Sequence, residues 1–458
     1  MDIAFLLNGE TVELTGVSAT TTVLDWLREE RGLTGTKEGC NEGDCGACTV
    51  MVTDHSGTKP INGCILFLPQ INGKSLTTVE GLAAPDGTMH PVQQAMVEHH
   101  GSQCGFCTPG FVVSMAAGQI TGETDHDRQL AGNLCRCTGY APIVRAAVNA
   151  ARQPVPAWLR DRPAGPPMGA YVNDFQPTTI AALAELRRAH PDATIVAGAT
   201  DVGLWVNKDH RPLGNVIFIT QIEELRRIEV APYMIRIGAA ASIEALRLAT
   251  ARRYPSLAAM LDRFASAQVR AAATVGGNIA NGSPIGDTPP PLIALGAMLQ
   301  LRNGEDMREI PLEDFFIEYG KQDIGPGEFV EAVVIPRDQE SDRLKVYKLS
   351  KRFDQDISAV LGAFNIEIKD EKVISARIAF GGMAGTPQRA RAVERALVGR
   401  PWTEATVRTA KWSFAEDFRP MSDMRASAAY RLETAANMLD RYWREDQGEA
   451  VDVREVTS

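Results

Sequence analysis

The sequence predicts a multidomain α+β protein that handles single electrons, and three observations carry this. The 458 residues are more than one ordinary hydrophobic core absorbs. All eight cysteines stand before Tyr140, in two groups of four: Cys40, Cys45, Cys48, Cys64 and Cys104, Cys107, Cys135, Cys137. From about Lys345 onward strand-like runs give way to helix-periodic segments. Two sets of four thiolates are what two iron–sulfur clusters require.

Composition narrows the class. Hydrophobic residues at 44% and charged residues at 23% are ordinary for a globular protein. The longest apolar stretches, such as Pro291–Leu299, fall far short of the ~20 residues that span a bilayer. A net charge of -10 argues against a nucleic-acid partner, which needs clustered Lys and Arg. The chain opens Met1-Asp2 without a basic region or cleavage site, so the cytoplasm is the expected location. Four disulfides would suit a small secreted domain, which this is not.

Ile3–Leu7 and Thr11–Leu14 flank Asn8-Gly9-Glu10, and Asn-Gly marks a hairpin. Thr20–Thr22 offers caps for a helix carrying Val23, Leu24 and Leu27, with Gly32 as its stop. Hairpin, helix and Cys-rich loop follow the order of a small β-grasp. Cys40, Cys45, Cys48 and Cys64 then give C-x4-C-x2-C…C, the plant-type [2Fe–2S] spacing. Gly39, Gly43 and Gly46 let a loop turn tightly and point N–H groups at sulfur. A structural zinc site is the alternative and prefers closer ligand pairs.

Cys104-Gly-Phe-Cys107 and Cys135-Arg-Cys137 form a C-x2-C and a C-x-C, which alone suit zinc as well as iron. Thr108-Pro109 and Thr138…Pro142 follow them, and Pro and Thr are helix-start signals. Both pairs therefore lie beside helix N-termini, whose dipoles favour thiolates. Pro91–His99, Phe111–Ala117, a stretch near Leu130 and Ile143–Ala151 are the expected helices of a bundle. His99-His100 is surplus to two complete cysteine sets and reads as a solvated helix end.

Gly39–Cys48, Gln103-Cys-Gly-Phe-Cys-Thr-Pro-Gly110 and Asn133-Leu-Cys-Arg-Cys-Thr-Gly-Tyr140 together resemble the iron–sulfur part of the molybdenum hydroxylases. The resemblance implies a β-grasp [2Fe–2S] ferredoxin-like domain followed by a four-helix-bundle [2Fe–2S] domain whose cluster lies nearer a molybdopterin cofactor. It implies that Gln103 contacts that pterin.

The rest of the chain follows the same resemblance. Ala151–Ala170 carries five prolines and reads as an extended linker. No G-x-G-x-x-G follows a strand, so a Rossmann site is not supported. Ile195, Val196, Ala197, Gly198, Ala199, Thr200, Asp201 and Val202 are similar to one FAD-phosphate loop of the family. Thr274, Val275, Gly276, Gly277 and Asn278 are similar to the other. By the same resemblance Phe264 is the flavin-contacting aromatic residue, Asp287 an FAD-contacting acid and Val330 an apolar contact. Lys348 stands near the flavin ring, a candidate catalytic cation that would stabilise negative charge on the reduced ring. Lys351–Asp356, with Phe353 and Gln355, is similar to a loop that bears on NAD access. Pro387–Leu397 and Asp423–Trp443 are expected to be helical, with Asp423 as a cap.

The implied architecture runs as a plant-type [2Fe–2S] β-grasp domain (1–84), a helical [2Fe–2S] domain (85–153), a linker (154–170), an α+β FAD-binding domain of the vanillyl-alcohol-oxidase/PCMH-like type (171–342) and a C-terminal α+β flavoprotein subdomain (343–458). The fusion of clusters and flavin, with the Lys351–Val360 loop, points to the small chain of the two-chain bacterial xanthine dehydrogenase branch. NAD as acceptor, a molybdopterin-binding large chain and an α2β2 assembly are expected. An aldehyde or carbon monoxide dehydrogenase relative is one alternative, and a non-catalytic zinc scaffold is another.

Overall fold

The computed structural model describes residues 1–336 and 343–452. The expected domain boundary at residue 342 lies outside them. The chain divides into two compact units. The first comprises Met1–Leu183, Asp192–Ile222 and Ala265–Ala273; the second comprises Ala184–Pro191, Glu223–Phe264 and Thr274–Ser458. The first unit thus takes in part of the segment expected to bind FAD.

In the first unit, β1 (Ile3–Leu7), β2 (Glu10–Leu14), β3 (Thr49–Asp54), β4 (Gly57–Asn62) and β5 (Ser75–Thr77) form one sheet in the order β2-β1-β5-β3-β4. Asn8 and Gly9 both take positive φ, 53° and 98°, as an Asn-Gly turn between antiparallel strands demands. Thr22 caps the following helix by accepting from the Asp25 N–H at 3.1 Å, and the turn Trp26–Glu30 continues it in π form. Phe5, Trp26, Leu27 and Val50 fill the core beneath the sheet.

Four helices follow, Pro91–Glu98, Thr108–Thr121, His126–Leu130 and Ala141–Ala150. Three begin as the sequence requires, with Pro in the first turn. Phe111, Val113, Met96 and Ile143 make their shared core. The Ala151–Ala170 segment is less extended than its prolines suggest. It contains a helical turn, Ala157–Arg160, and is tied down by bonds from Trp158 Nε1 to Leu82 O (3.0 Å) and from Arg162 to Thr77 Oγ1 (3.1 Å) and Gly81 O (3.0 Å). β6 (Thr194–Val196) and β7 (Val216–Phe218) pair in parallel.

Among its described residues the second unit holds three antiparallel sheets. β8 (Ile228–Val230), β9 (Met234–Gly238), β10 (Met298–Asn303), β11 (Asp306–Pro311) and β14 (Phe329–Pro336) order as β11-β10-β14-β9-β8, and β12 (Phe316–Glu318) pairs with β13 (Lys321–Gln322). β15 (Lys345–Leu349), β16 (Val360–Lys369), β17 (Lys372–Gly381) and β18 (Gln388–Arg389) follow in sequential order. Phe364 and Phe380 meet edge to face at 5.5 Å, and Phe414, Phe418 and Tyr442 complete this aromatic core.

Two expectations are corrected. Gln388–Arg389 continues the sheet, so the helix begins only at Arg391. The last helix runs Ala428–Asp446 and is capped by Ser427, not Asp423. Asp423 instead accepts from the N–H groups of Arg425 and Ala426 and from buried Arg431 at 2.7 Å. Burial raises its carboxyl pKa, but those bonds together outweigh it and hold the value down at about 2.

Candidate functional site

The first cysteine loop is built to present N–H groups to sulfur. The N–H of Cys40 donates to Cys45 Sγ and the N–H of Cys45 to Cys40 Sγ, each at 3.3 Å. Glu42 and Asp44 add backbone donors to Cys40, and Gly43 adds one to Cys64. Gly43 and Gly46 take positive φ. Gly39 does not, and its role is different: a Cβ there would lie 2.7 Å from Cys45 Sγ.

Within each set the thiols associate two by two. Cys40 hydrogen-bonds Cys45, and Cys48 hydrogen-bonds Cys64. Cys104 hydrogen-bonds Cys137, and Cys107 hydrogen-bonds Cys135. These contacts split the pKa values. The hydrogen bond from Cys45 pulls Cys40 down to about 5 and pushes Cys45 up, the donor holding its proton. The bond to Cys48, then burial, raises Cys64. The Phe106 N–H, then Cys137, lowers Cys104, while burial lifts Cys107 to about 12. Among the described residues no three His, Cys, Asp or Glu side chains converge as a single-ion site requires. Paired sulfurs fit a two-iron cluster, in which each iron takes two of the four ligands.

The two sets are joined within the first unit. The Leu134 N–H donates to Cys45 O at 3.0 Å, one residue before Cys135. Asn133 Nδ2 donates to Gly46 O at 3.0 Å. Buried Gln268 donates through Nε2 to Thr49 Oγ1, Ser114 Oγ and Asn133 Oδ1, at 3.1–3.2 Å. Cys104 and Cys137 are exposed, as is Gln103, so this set lies at the surface of its unit.

The two candidate phosphate loops differ in their free donors. Residues 195–202 follow β6, and the loop is pinned where Gln70 Nε2 donates to Ala197 O at 2.8 Å. Ala199 takes φ 58°. Among the described residues, nothing accepts from the N–H groups of Gly198, Ala199, Thr200, Asp201 and Val202. Free consecutive N–H groups around a left-handed residue form an anion-binding concavity. The Thr274–Asn278 loop differs. The N–H groups of Val275 and Gly276 bond Ala241 O and Ala239 O, and that of Gly277 bonds Thr274 Oγ1. What this loop offers is a close approach, because Gly277 is exposed and has no side chain. The residues fit an FAD phosphate better at the first loop than at the second.

Within the second unit, Lys348 and Asp287 meet, as do residues that no motif marked. Lys348 Nζ donates to Asp287 Oδ2 at 2.5 Å and to Arg263 O at 3.3 Å. Ser358 Oγ donates to Asp287 Oδ1 at 2.6 Å. Arg263 donates to the carbonyls of Phe353 and Lys348, both at 2.9 Å, and stacks its guanidinium 4.6 Å over the Phe353 ring. Phe264 is half-buried, two residues past the end of the helix Pro255–Asp262. Val330 is buried on β14 opposite Leu301. Asn278 Oδ1 accepts from Thr288 Oγ1 at 2.5 Å, which ties the second loop to the approach to Asp287. Ser358 and Arg263 lacked any sequence signal beyond standing next to expected site residues.

Comparison with known proteins adds the domain identities. The family described as 2Fe-2S iron-sulfur cluster binding domain matches residues 5–66, and [2Fe-2S] binding domain matches 78–148. FAD binding domain in molybdopterin dehydrogenase matches 171–338, and CO dehydrogenase flavoprotein C-terminal domain matches 345–446. The chain is 31% identical to xanthine dehydrogenase 1 of Arabidopsis thaliana over 84% of its own length and 35% of that protein. It is 30% identical to a xanthine dehydrogenase of Emericella nidulans over 96% of its length and 38% of that protein. It therefore spans little more than a third of these curated relatives. A solved carbon monoxide dehydrogenase from Hydrogenophaga pseudoflava, which lacks the Mo-pyranopterin moiety of the molybdenum cofactor, superposes with a TM-score of 0.55 at 27% identity. That match covers 58% of this chain and 93% of that one. Two 2Fe-2S domains, an FAD-binding domain and a C-terminal flavoprotein domain thus make up a mixed α+β chain.

Proposed function

We propose that this chain, which carries the iron–sulfur and FAD electron-transfer modules of the molybdenum hydroxylase family, is the electron-transfer subunit of a xanthine dehydrogenase. In this reading a partner chain binds the molybdopterin and oxidises hypoxanthine or xanthine to urate. The assembly is α2β2, and NAD is the final acceptor. The observation that carries it is the span of likeness to xanthine dehydrogenases, 84% and 96% of this chain, across cluster and flavin parts alike.

When bound, the clusters and FAD supply one-electron relay and hydride transfer. Cys40, Cys45, Cys48 and Cys64 would hold one cluster and Cys104, Cys107, Cys135 and Cys137 the other. Exposure of Cys104, Cys137 and Gln103 suits a set that faces a partner chain. The free N–H groups of residues 198–202 would hold FAD phosphate. Ser358 holds Asp287, and Asp287 holds Lys348, whose charge would stand near the flavin ring. That fixed charge favours the reduced, more anionic ring.

Purification of the native complex tests this. The expected result is a molybdenum-containing partner, about four iron atoms per copy of this chain, FAD, and NAD reduction by xanthine. Cys104→Ser should abolish that activity and spare NADH-to-dye activity. A partner that oxidises aldehydes but not xanthine would sink the purine assignment and favour the reading that the carbon monoxide dehydrogenase likeness supports. Two zinc ions and no acid-labile sulfide would sink the redox reading altogether.

A further inference from the structure

We infer that Asn207 and Lys208 are positioning residues that set the reduction potential of the cluster held by Cys40, Cys45, Cys48 and Cys64. They do so by hydrogen-bonding the backbone carbonyls of two of its ligands. This deepens the reading above and rests on it for the presence of that cluster.

The geometry lies wholly within the first unit. The helix Val202–Asn207 runs directly from the 195–202 loop. Its start is pressed against the cysteine loop: a Cβ on Gly203 would lie 2.9 Å from Ile65 Cβ, and Leu204 packs on Cys48, Cys64 and Ile65. At its far end Asn207 Nδ2 donates to Cys64 O at 2.6 Å and reaches Asn41 O and Oδ1 at 3.4 and 3.3 Å. Lys208 Nζ donates to Cys40 O at 2.5 Å. Cys40 and Cys64 belong to different thiol pairs, so the helix end grips both halves of the set.

The consequence is electrostatic. A [2Fe–2S] cluster on four thiolates gains one unit of negative charge when it takes one electron; no bond breaks and no proton moves. The ammonium of Lys208 and the amide dipole of Asn207 therefore stabilise the reduced form more than the oxidised one, and hold the potential up. Glu42 Oε2 stands 3.6 Å from Lys208 Nζ, and the two side chains are 43% and 41% exposed. Glu42 opposes Lys208, and solvent screens both, which limits the effect to about tenfold in the reduced-to-oxidised ratio, or about 59 mV for one electron.

The test is potentiometry of the native complex, followed by the two iron–sulfur electron paramagnetic resonance signals, with dithionite as reductant. The signal lost in Cys104→Ser is the helical set's, and the other is the one measured. Lys208→Met should lower the reduced-to-oxidised ratio of the β-grasp cluster about tenfold at fixed potential. Asn207→Leu should shift it the same way by less, Lys208→Arg should restore it to within about twofold, and Glu42→Gln should shift it the opposite way. The helical cluster should not move in any variant. Opposite signs for Lys208→Met and Glu42→Gln are what a merely structural role would not produce. Shifts of the same sign, or no shift with both signals intact, would overturn the inference. Should Lys208→Met lose its cluster, exposed Glu42→Gln decides alone: no upward shift refutes it. A wild-type complex without acid-labile sulfide would instead fail the underlying assignment.

Discussion

The ammonium of Lys348 sits 2.5 Å from a carboxylate oxygen of Asp287, and the two side chains are only 2% and 8% exposed. The pair joins β15 to the turn before the helix Pro289–Ala294, across 61 positions of sequence. Removing one partner of a buried ion pair strands the other charge and costs about 3–5 kcal/mol, whereas replacing both by apolar groups is often near neutral. Lys348→Met and Asp287→Leu should each lower the denaturation midpoint of the flavoprotein part, and the double variant should recover most of the loss. A double-mutant cycle followed by tryptophan fluorescence measures this. Additive losses would show that the pair is not coupled.

The two glycine-bearing loops should fail differently. A Cβ on Gly198 would meet Ala272 O at 2.0 Å, a backbone atom that cannot move aside, while one on Gly277 meets only Thr274 Oγ1 at 2.8 Å. Gly198→Val should therefore reduce both FAD content and soluble yield. Gly277→Val should keep the fold and the iron while FAD per chain falls below half. The ratio of flavin to iron absorbance checks both, and stoichiometric FAD in Gly277→Val would count against close approach at that loop.

Acid stability depends on His90. It is fully buried at the N-cap of the helix Pro91–Glu98, where its Nδ1 accepts from the Val92 N–H at 3.2 Å. Burial lowers its pKa from the usual 6.5 to about 4. The unfolded chain thus binds the proton first. The stabilisation is complete above about pH 6.5 and is lost as the pH falls towards 4, by at most ~3 kcal/mol. His90→Asn keeps a side-chain acceptor at the cap and should flatten stability over that window. The acid loss of the helical cluster's visible circular dichroism is the measurement, and an unchanged pH profile in His90→Asn would exclude His90 as the cause.

Gly46 is a point of close contact between the cysteine sets. It takes φ 68°, and a Cβ there would lie 2.2 Å from Gly132 O and 2.6 Å from Asn133 Nδ2. Gly46→Ala should cost a few kcal/mol and lower iron incorporation at both sets. Gly57→Ala, at φ 113° with open space around its Cβ, is the control and should lose only stability. Equal iron content in the two variants would remove the contact from the explanation.

What could be read from the sequence was local. The cysteine spacings, the Asn8-Gly9 turn, the Thr22 cap and the proline-led helices each depend on a few adjacent residues, and the structure has them. Asp423 and Ser427 are both good acceptors, but the N–H groups of Arg425 and Ala426 and the Arg431 guanidinium engage Asp423, which leaves Ser427 to cap the helix. Gln268 gave no signal at all. It stands in an unremarkable helix, and its amide matters only because residues 49, 114 and 133 surround it. The same holds for Lys208, whose partners lie in the cysteine loop far upstream.

Gln268 also bears on how the chain is made. The first unit is discontinuous: residues 223–264 belong to the second unit and precede Ala265–Ala273, the segment that brings Gln268 to the junction of the cysteine sets. On a ribosome the cysteine-bearing parts emerge first, and their junction lacks the bonds of Gln268 until that residue has been synthesised. Metal loading therefore has an interval in which both sulfur sets are translated before Gln268 completes the contact between them.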